Sequence, residues 1–185
     1  MAFSAGALRN CVGGVVALAA LTSLAACSDA GETATGVKVG DHPPSLALEA
    51  VQDPIGVADH GLDAYKGKVL VLGFWLGGCA PCLKEMPELV ELRRRYGAEG
   101  LDVLLVNTGG NRKAVDDAIA DNGIDFAMAM DALNLSSQRF EVGVFPTTFI
   151  LDRDGVIRAR MAGEHRPGDI AREATALLGA KGPDA

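Results

Sequence analysis

The chain has 185 residues, 49% of them apolar, and a formal charge of −7 at neutral pH. That length and apolar content fit one ordinary domain with a sizeable core and exclude a disordered chain. The acidic balance argues against nucleic acid as a partner, because such a binder presents a basic face.

Residues 1–26 read as a targeting segment. MAFSAGALRN carries one positive charge, at Arg9, and CVGGVVALAALTS follows as an uncharged apolar run too short to span a bilayer comfortably. LAAC, residues 24–27, then sets small residues before a cysteine. This resembles the bacterial lipoprotein lipobox, which implies cleavage before Cys27 and a lipid on its sulfur. An ordinary secretory signal with Cys27 incidental is the other reading. Either way Cys11 leaves with the signal. With Cys27 lipidated, only Cys79 and Cys82 remain as thiols. An exported compartment outside the cytoplasmic membrane permits disulfides. Residues 27–40 are small, polar and glycine-containing, and read as a flexible tether of about 20 Å.

One domain, residues 41–181, is expected beyond it. SLALEAV and IGVADHGLDAY read as short strand pieces around a turn at Asp53-Pro54. KGKVLVLGFWL is the strongest strand signal, a near-continuous apolar run suited to a central strand. CLKEMPELVELRRRYG changes to helical spacing. Leu83, Met86, Leu89, Val90 and Leu92 form its apolar face, and Gly97 or Gly100 stops it. LDVLLVN is a second buried strand, RKAVDDAIADNG a helix, DFAMAMD a short strand and LNLSSQRFEV a short helix. PTTFILDRDGVIRARMAG reads as a hairpin turning at Asp152-Arg153-Asp154-Gly155, and GDIAREATALLG as a closing helix. This order predicts an α/β fold: a central mixed sheet with helices on both faces.

Cys79 falls where a strand gives way to a helix. Free N–H groups and the partial positive charge of a helix N-terminus favour thiolate over thiol. Cys79 is therefore expected to attack disulfides, and Cys82, one turn on, to resolve the mixed disulfide. Pro81 suits a first helical turn, where no N–H is needed. A zinc site lacks a second pair of ligands, and a c-type haem site lacks His after the second cysteine, where Leu83 stands. His42, His60 and His165 are scattered and form no metal set. NTGGN at residues 107–111 has no Lys-Ser/Thr after it and reads as a plain loop.

KGKVLVLGFW, CAPCLKEMPEL, FPTTFILDRDG and the lipobox together resemble the thioredoxin superfamily. Within it they are most similar to the TlpA/ResA-like membrane-anchored thiol–disulfide oxidoreductases, which include cytochrome c maturation reductases. The likeness runs from about Val39 to the last helix. It implies a thioredoxin-like fold with an N-terminal strand extension and a redox disulfide between Cys79 and Cys82. It also implies a cis proline at Pro146 that docks substrate together with its neighbours Phe145 and Thr147. Glu85 matches an acidic residue placed to exchange protons with Cys82, and Pro87 a proline that kinks the helix. Trp75 reads as packing.

The likeness further implies exported protein substrates with cysteines, a membrane electron-donor protein and no dissociable cofactor, since the electrons reside in the dithiol. Two departures stand out. Gly78 occupies the place where many relatives carry Trp, and Ala80 replaces the charged residue that tunes some pairs. Two rival chemistries fit less well. A peroxiredoxin of AhpC/TSA type needs Pro and Thr/Ser where Leu72 and Leu76 stand. A Sco-like copper carrier needs three residues between its cysteines.

Overall fold

Three apolar runs build the middle of the sheet in a computed structural model that describes residues 37–179. Arg9, Cys11, the lipobox and Cys27 lie outside the described residues. Strand β2 (Val69–Trp75) is buried along its whole length. On one edge it pairs in parallel with β3 (Leu101–Thr108), which pairs in parallel with β4 (Ala127–Asp131). On the other edge β5 (Thr147–Leu151) runs antiparallel, and β6 (Ile157–Ala162) returns against it as the predicted hairpin. Strand β1 (Glu49–Gln52) lies antiparallel outside β4, giving the order β1-β4-β3-β2-β5-β6.

Strand periodicity divides β2 between two cores. Val69, Val71 and Trp75 face α2 (Ala80–Tyr96), α3 (Arg112–Asn122) and α5 (Asp169–Leu178), packing with Met86, Leu89, Val115 and Ile170. Leu70, Leu72 and Phe74 face the other way, toward α1 (Val57–His60) and α4 (Leu135–Arg139), packing with Val57, Tyr65, Phe140 and Phe149. Phe74, Phe140 and Phe149 form a mutual cluster with ring centroids 5.1–6.1 Å apart. Gly73 has no side chain because Leu105 takes its space; a Cβ there would stand 2.6 Å from Leu105 Cδ2. The far end of α2 is tied to the sheet through buried Asp102, which accepts from Lys68 Nζ (2.7 Å) and Arg93 Nε (3.3 Å).

Two local expectations are corrected. Residues 55–65 are not a strand but α1 followed by a 3-10 turn, Gly61–Tyr65. The Asp53 carboxylate accepts the N–H groups of Val57 (2.7 Å) and Ala58 (2.9 Å), which starts a helix where the apolar spacing resembled a strand. Leu83 is 41% exposed rather than part of the apolar face. The buried stripe runs Cys82, Met86, Leu89, Leu92, and Leu83 lies about 100° around the helix from Cys82. Helix α2 passes at Gly97 into a 3-10 turn and stops at Gly100, whose φ of 91° suits glycine.

At the end of the expected tether, Val37 packs on the α1-side core, Gly40 N–H donates to Ile157 O, and Ile157 N–H donates to Asp41 O. Among the described residues no helix is long and apolar enough to cross a membrane. The aromatic cluster supports β2 from behind. Phe140→Ala is expected to lower unfolding free energy by about 3–5 kcal/mol, measured by denaturant titration with an unchanged m-value.

Candidate active site

β2 ends at Trp75, and residues 76–78 turn the chain into α2. Gly78 adopts φ 80°, which glycine takes without strain. At Gly77 an added Cβ would meet Ala114 Cβ at 2.8 Å, so the turn lies close against the start of α3. Asn111, at the end of NTGGN, caps that helix by accepting from Ala114 N (3.1 Å). The NTGGN stretch is thus the end of β3 and a turn.

Cys79 is the N-cap of α2, extended at φ −76° and ψ 100°. Its sulfur accepts the Cys82 N–H at 3.3 Å, and its carbonyl accepts the Leu83 N–H at 3.1 Å. Pro81 sits in the first turn, where its missing N–H costs nothing. The two cysteines form a disulfide with Cα atoms 5.3 Å apart. They differ in access: Cys79 is half-buried, whereas Cys82 is 3% exposed and belongs to the core.

Behind Cys82 a small cavity is lined by Trp75, Cys82, Glu85, Met86, Pro146 and Thr148 among others. Pro146 reaches it from the start of β5, following Phe145 through a cis peptide bond. Phe145 touches both cores. Thr147 is fully buried, and its hydroxyl donates to Val144 O at 2.7 Å. The Pro146 carbonyl accepts the Gly163 N–H at 2.8 Å. The structure therefore brings Cys79, Cys82, Glu85 and Pro146 together at the C-terminal end of β2.

Glu85 is the most perturbed acid at this site. Burial pushes its carboxyl up to about 7, and the negative charges of Glu88 and Glu164 add to the effect. Its Oε1 stands 3.2 Å from His165 Nε2, off the line of a hydrogen bond, and among the described residues neither atom has another partner. Burial also holds the His165 imidazole below its usual value, against the pull of Asp169 and Glu88. The contact is thus between two groups driven toward their neutral forms, not a fixed ion pair. Sequence reading missed His165, treating it as one of three scattered histidines. Nothing in its local sequence marked it, because its contact with Glu85 is made only when the loop after the hairpin closes over α2.

A thiol pair at the mouth of α2, facing a cis proline across a mixed sheet, defines a thioredoxin-like redox protein. The Redoxin family model matches residues 38–178. Thiol-disulfide oxidoreductase ResA of Geobacillus kaustophilus is 32% identical over 138 residues, covering 75% of this chain and 77% of the relative. ResA of Bacillus subtilis is 29% identical over 122 residues, 65% of each chain. A candidate DsbE thiol:disulfide interchange protein of Chlorobium tepidum aligns with TM-score 0.65 at 26% identity, covering 78% of this chain and all of that one. The chain belongs to the Redoxin family, among the ResA-type thiol–disulfide oxidoreductases, and its activity is thiol–disulfide exchange.

The raised Glu85 value has a consequence for stability. A carboxyl whose folded value lies above its unfolded value costs nothing when both states are protonated. The cost grows as pH rises from the unfolded value, near 4.5, through about 7. Glu85→Gln is therefore expected to match the wild type near the lower value and to exceed it in stability in mild alkali. The gain approaches the order of 2–3 kcal/mol. Denaturant unfolding across this range checks both the sign and the window.

Proposed function

We propose that this chain is a membrane-anchored, exported protein disulfide reductase. Cys79 is the attacking thiolate, Cys82 the resolving thiol, and Glu85 takes up the Cys82 proton. Phe145 and Pro146 form the edge on which a substrate segment docks, and Thr147 supports that edge by holding Val144. The observation that carries this reading is the unequal access of the two sulfurs. Cys79 meets solvent and receives an N–H from the helix, while Cys82 is buried beside a carboxyl. A helix N–H favours a thiolate on Cys79, and an ionised Glu85 opposes one on Cys82.

The direction of electron flow follows from the same balance. A pair is oxidising to the extent that its reduced thiolate is stabilised. Only Ala80 and Pro81 lie between the cysteines, so stabilisation comes mainly from the helix N-terminus. A potential nearer the roughly −270 mV of thioredoxin than the roughly −120 mV of DsbA is expected, measured by equilibration with glutathione. Efficient oxidation of reduced peptides, without reduction of insulin, would instead make the protein an oxidant.

The substrates are exported proteins with cysteines, such as apocytochrome c in cytochrome maturation, and a membrane electron donor recharges the pair. The lipobox supports an anchor at Cys27, with the domain held on the outer side of the cytoplasmic membrane. Cys82→Ser is expected to accumulate mixed disulfides through Cys79, and Cys79→Ser to accumulate none; trapping through Cys82 would reverse the two roles. Cys27→Ala is expected to lose lipid labelling and release the protein from membranes, and an unlabelled wild type would remove the anchor.

A further inference from the structure

Glu85 faces two spaces. Its inner side lines the small cavity shared with Cys82 and Pro146. Its outer side lines an open pocket shared with Pro81, Lys84, Glu88, Glu164 and His165. Among the described residues, no other lines both. A proton leaving buried Cys82 toward this outer pocket therefore passes the Glu85 carboxyl.

His165 stands on the outer side of that carboxyl. Its side chain is 8% exposed and its Nε2 lies 3.2 Å from Glu85 Oε1. Both atoms are buried and, among the described residues, otherwise unpartnered. Such atoms are costly to bury unless they serve one another. The loop carrying His165 is held on both sides. Gly163 N–H donates to Pro146 O (2.8 Å) and Lys84 Nζ donates to Glu164 Oε1 (2.8 Å) before it. After it, Gly168 N–H donates to Glu88 Oε1 (3.1 Å). The chain on either side of His165 is thus held in place by contacts that do not involve the imidazole.

The geometry points to His165 as the relay through which Glu85 exchanges its proton with solvent during resolution of the mixed disulfide. This rests on the assignment of Glu85 proposed above. In that step the Cys82 thiol gives its proton to the Glu85 carboxylate, and Cys82 Sγ bonds to Cys79 Sγ. The bond between Cys79 and the substrate sulfur breaks, its electron pair stays on the substrate sulfur, and that thiolate takes a proton from water. Over the whole reaction the dithiol loses two electrons and the substrate disulfide gains them. Glu85 then passes the Cys82 proton to His165 Nε2, the imidazolium releases a proton to water in the outer pocket, and the carboxylate is restored. Recharging by a donor dithiol runs this path in reverse.

Burial raises Glu85 to about 7 and lowers His165, so the carboxyl can hold the Cys82 proton at neutral pH and a protonated imidazole gives its proton up readily to water. The charged groups facing the pair are Lys84 and Glu88 from α2, Glu164 and Arg166 from the loop, and Asp169 from α5. Lys84 pairs with Glu164 and Arg166 with Asp169. That leaves Glu88 as the acid whose charge acts on both members.

The test is a single-turnover measurement on the reduced full chain with a disulfide-bonded peptide, following peptide-thiol release across the neutral range at several imidazole concentrations. His165→Asn is expected to slow release roughly tenfold, to flatten the pH profile, and to become faster as imidazole is added. The wild type is expected to show no such buffer dependence, and Cys79 alkylation is expected to be equal in both. His165→Gln serves as the second variant. In the wild type itself, the His165 ring resonances should shift with the ionisation of Glu85.

Wild-type behaviour in the His165 variants, with Glu85→Gln slowed, overturns the relay and leaves the Glu85 assignment standing. Wild-type behaviour in Glu85→Gln overturns both. A slowed His165 variant that imidazole does not restore assigns His165 to packing, and His165 resonances that ignore the Glu85 ionisation overturn the relay without any variant.

Discussion

Strand β2 is hydrogen-bonded along both edges and covered on both faces, and the placement of the thiols depends on it. A strand held on four sides cannot slip by one residue without turning Val69, Val71 and Trp75 away from their core. Its C-terminal end is therefore a fixed point. The short turn after Trp75 transfers that fixity to the first turn of α2, so the Cys82 N–H points at Cys79 Sγ. β5 runs antiparallel beside β2, which brings Pro146 to the same end of the sheet.

The burial that makes the α2 core also shapes the chemistry. Glu85 lies on the helix face that packs toward the sheet, with its side chain 13% exposed. Water is too scarce there to solvate the carboxylate fully, so the proton is held to about 7. A surface carboxyl would be ionised throughout the neutral range and could not serve as a proton acceptor and donor there. The arrangement opposes stability above the unfolded value, as functional sites commonly do. The loop between β6 and α5 completes the environment by bringing His165 over Glu85 while its backbone contacts the Pro146 carbonyl.

Much of the fold was legible because long elements with strong periodicity dominate it. The apolar run of β2, the helical stripe of α2 and the Asp-Gly turn before β6 are local signals that tertiary packing reinforces. Residues 55–65 misled because four residues of helix and one 3-10 turn are too short to show a period. Asp53, whose side chain starts that helix, reads equally well as a turn residue. Leu83 misled because composition alone cannot tell which of two adjacent apolar residues, Cys82 or Leu83, takes the buried stripe.

The candidate site divides in the same way. Cys79, Cys82 and Glu85 lie within seven residues of one another, and helix geometry alone sets them on successive turns, so their association could be read from the sequence. Pro146 became legible only through the family resemblance, because it approaches from a distant strand. His165 was not legible at all: it lies 80 residues from Glu85, and nothing in the intervening chain encodes their contact. The sequence by itself determined the dithiol, its position at a helix mouth and the α/β class, since these follow from spacing and local propensity. Tertiary structure alone decided that Glu85 is desolvated and that His165 stands beside it. Both follow from how β6, α5 and their loop close over α2, and desolvation depends on everything packed around a group rather than on its neighbours in the chain.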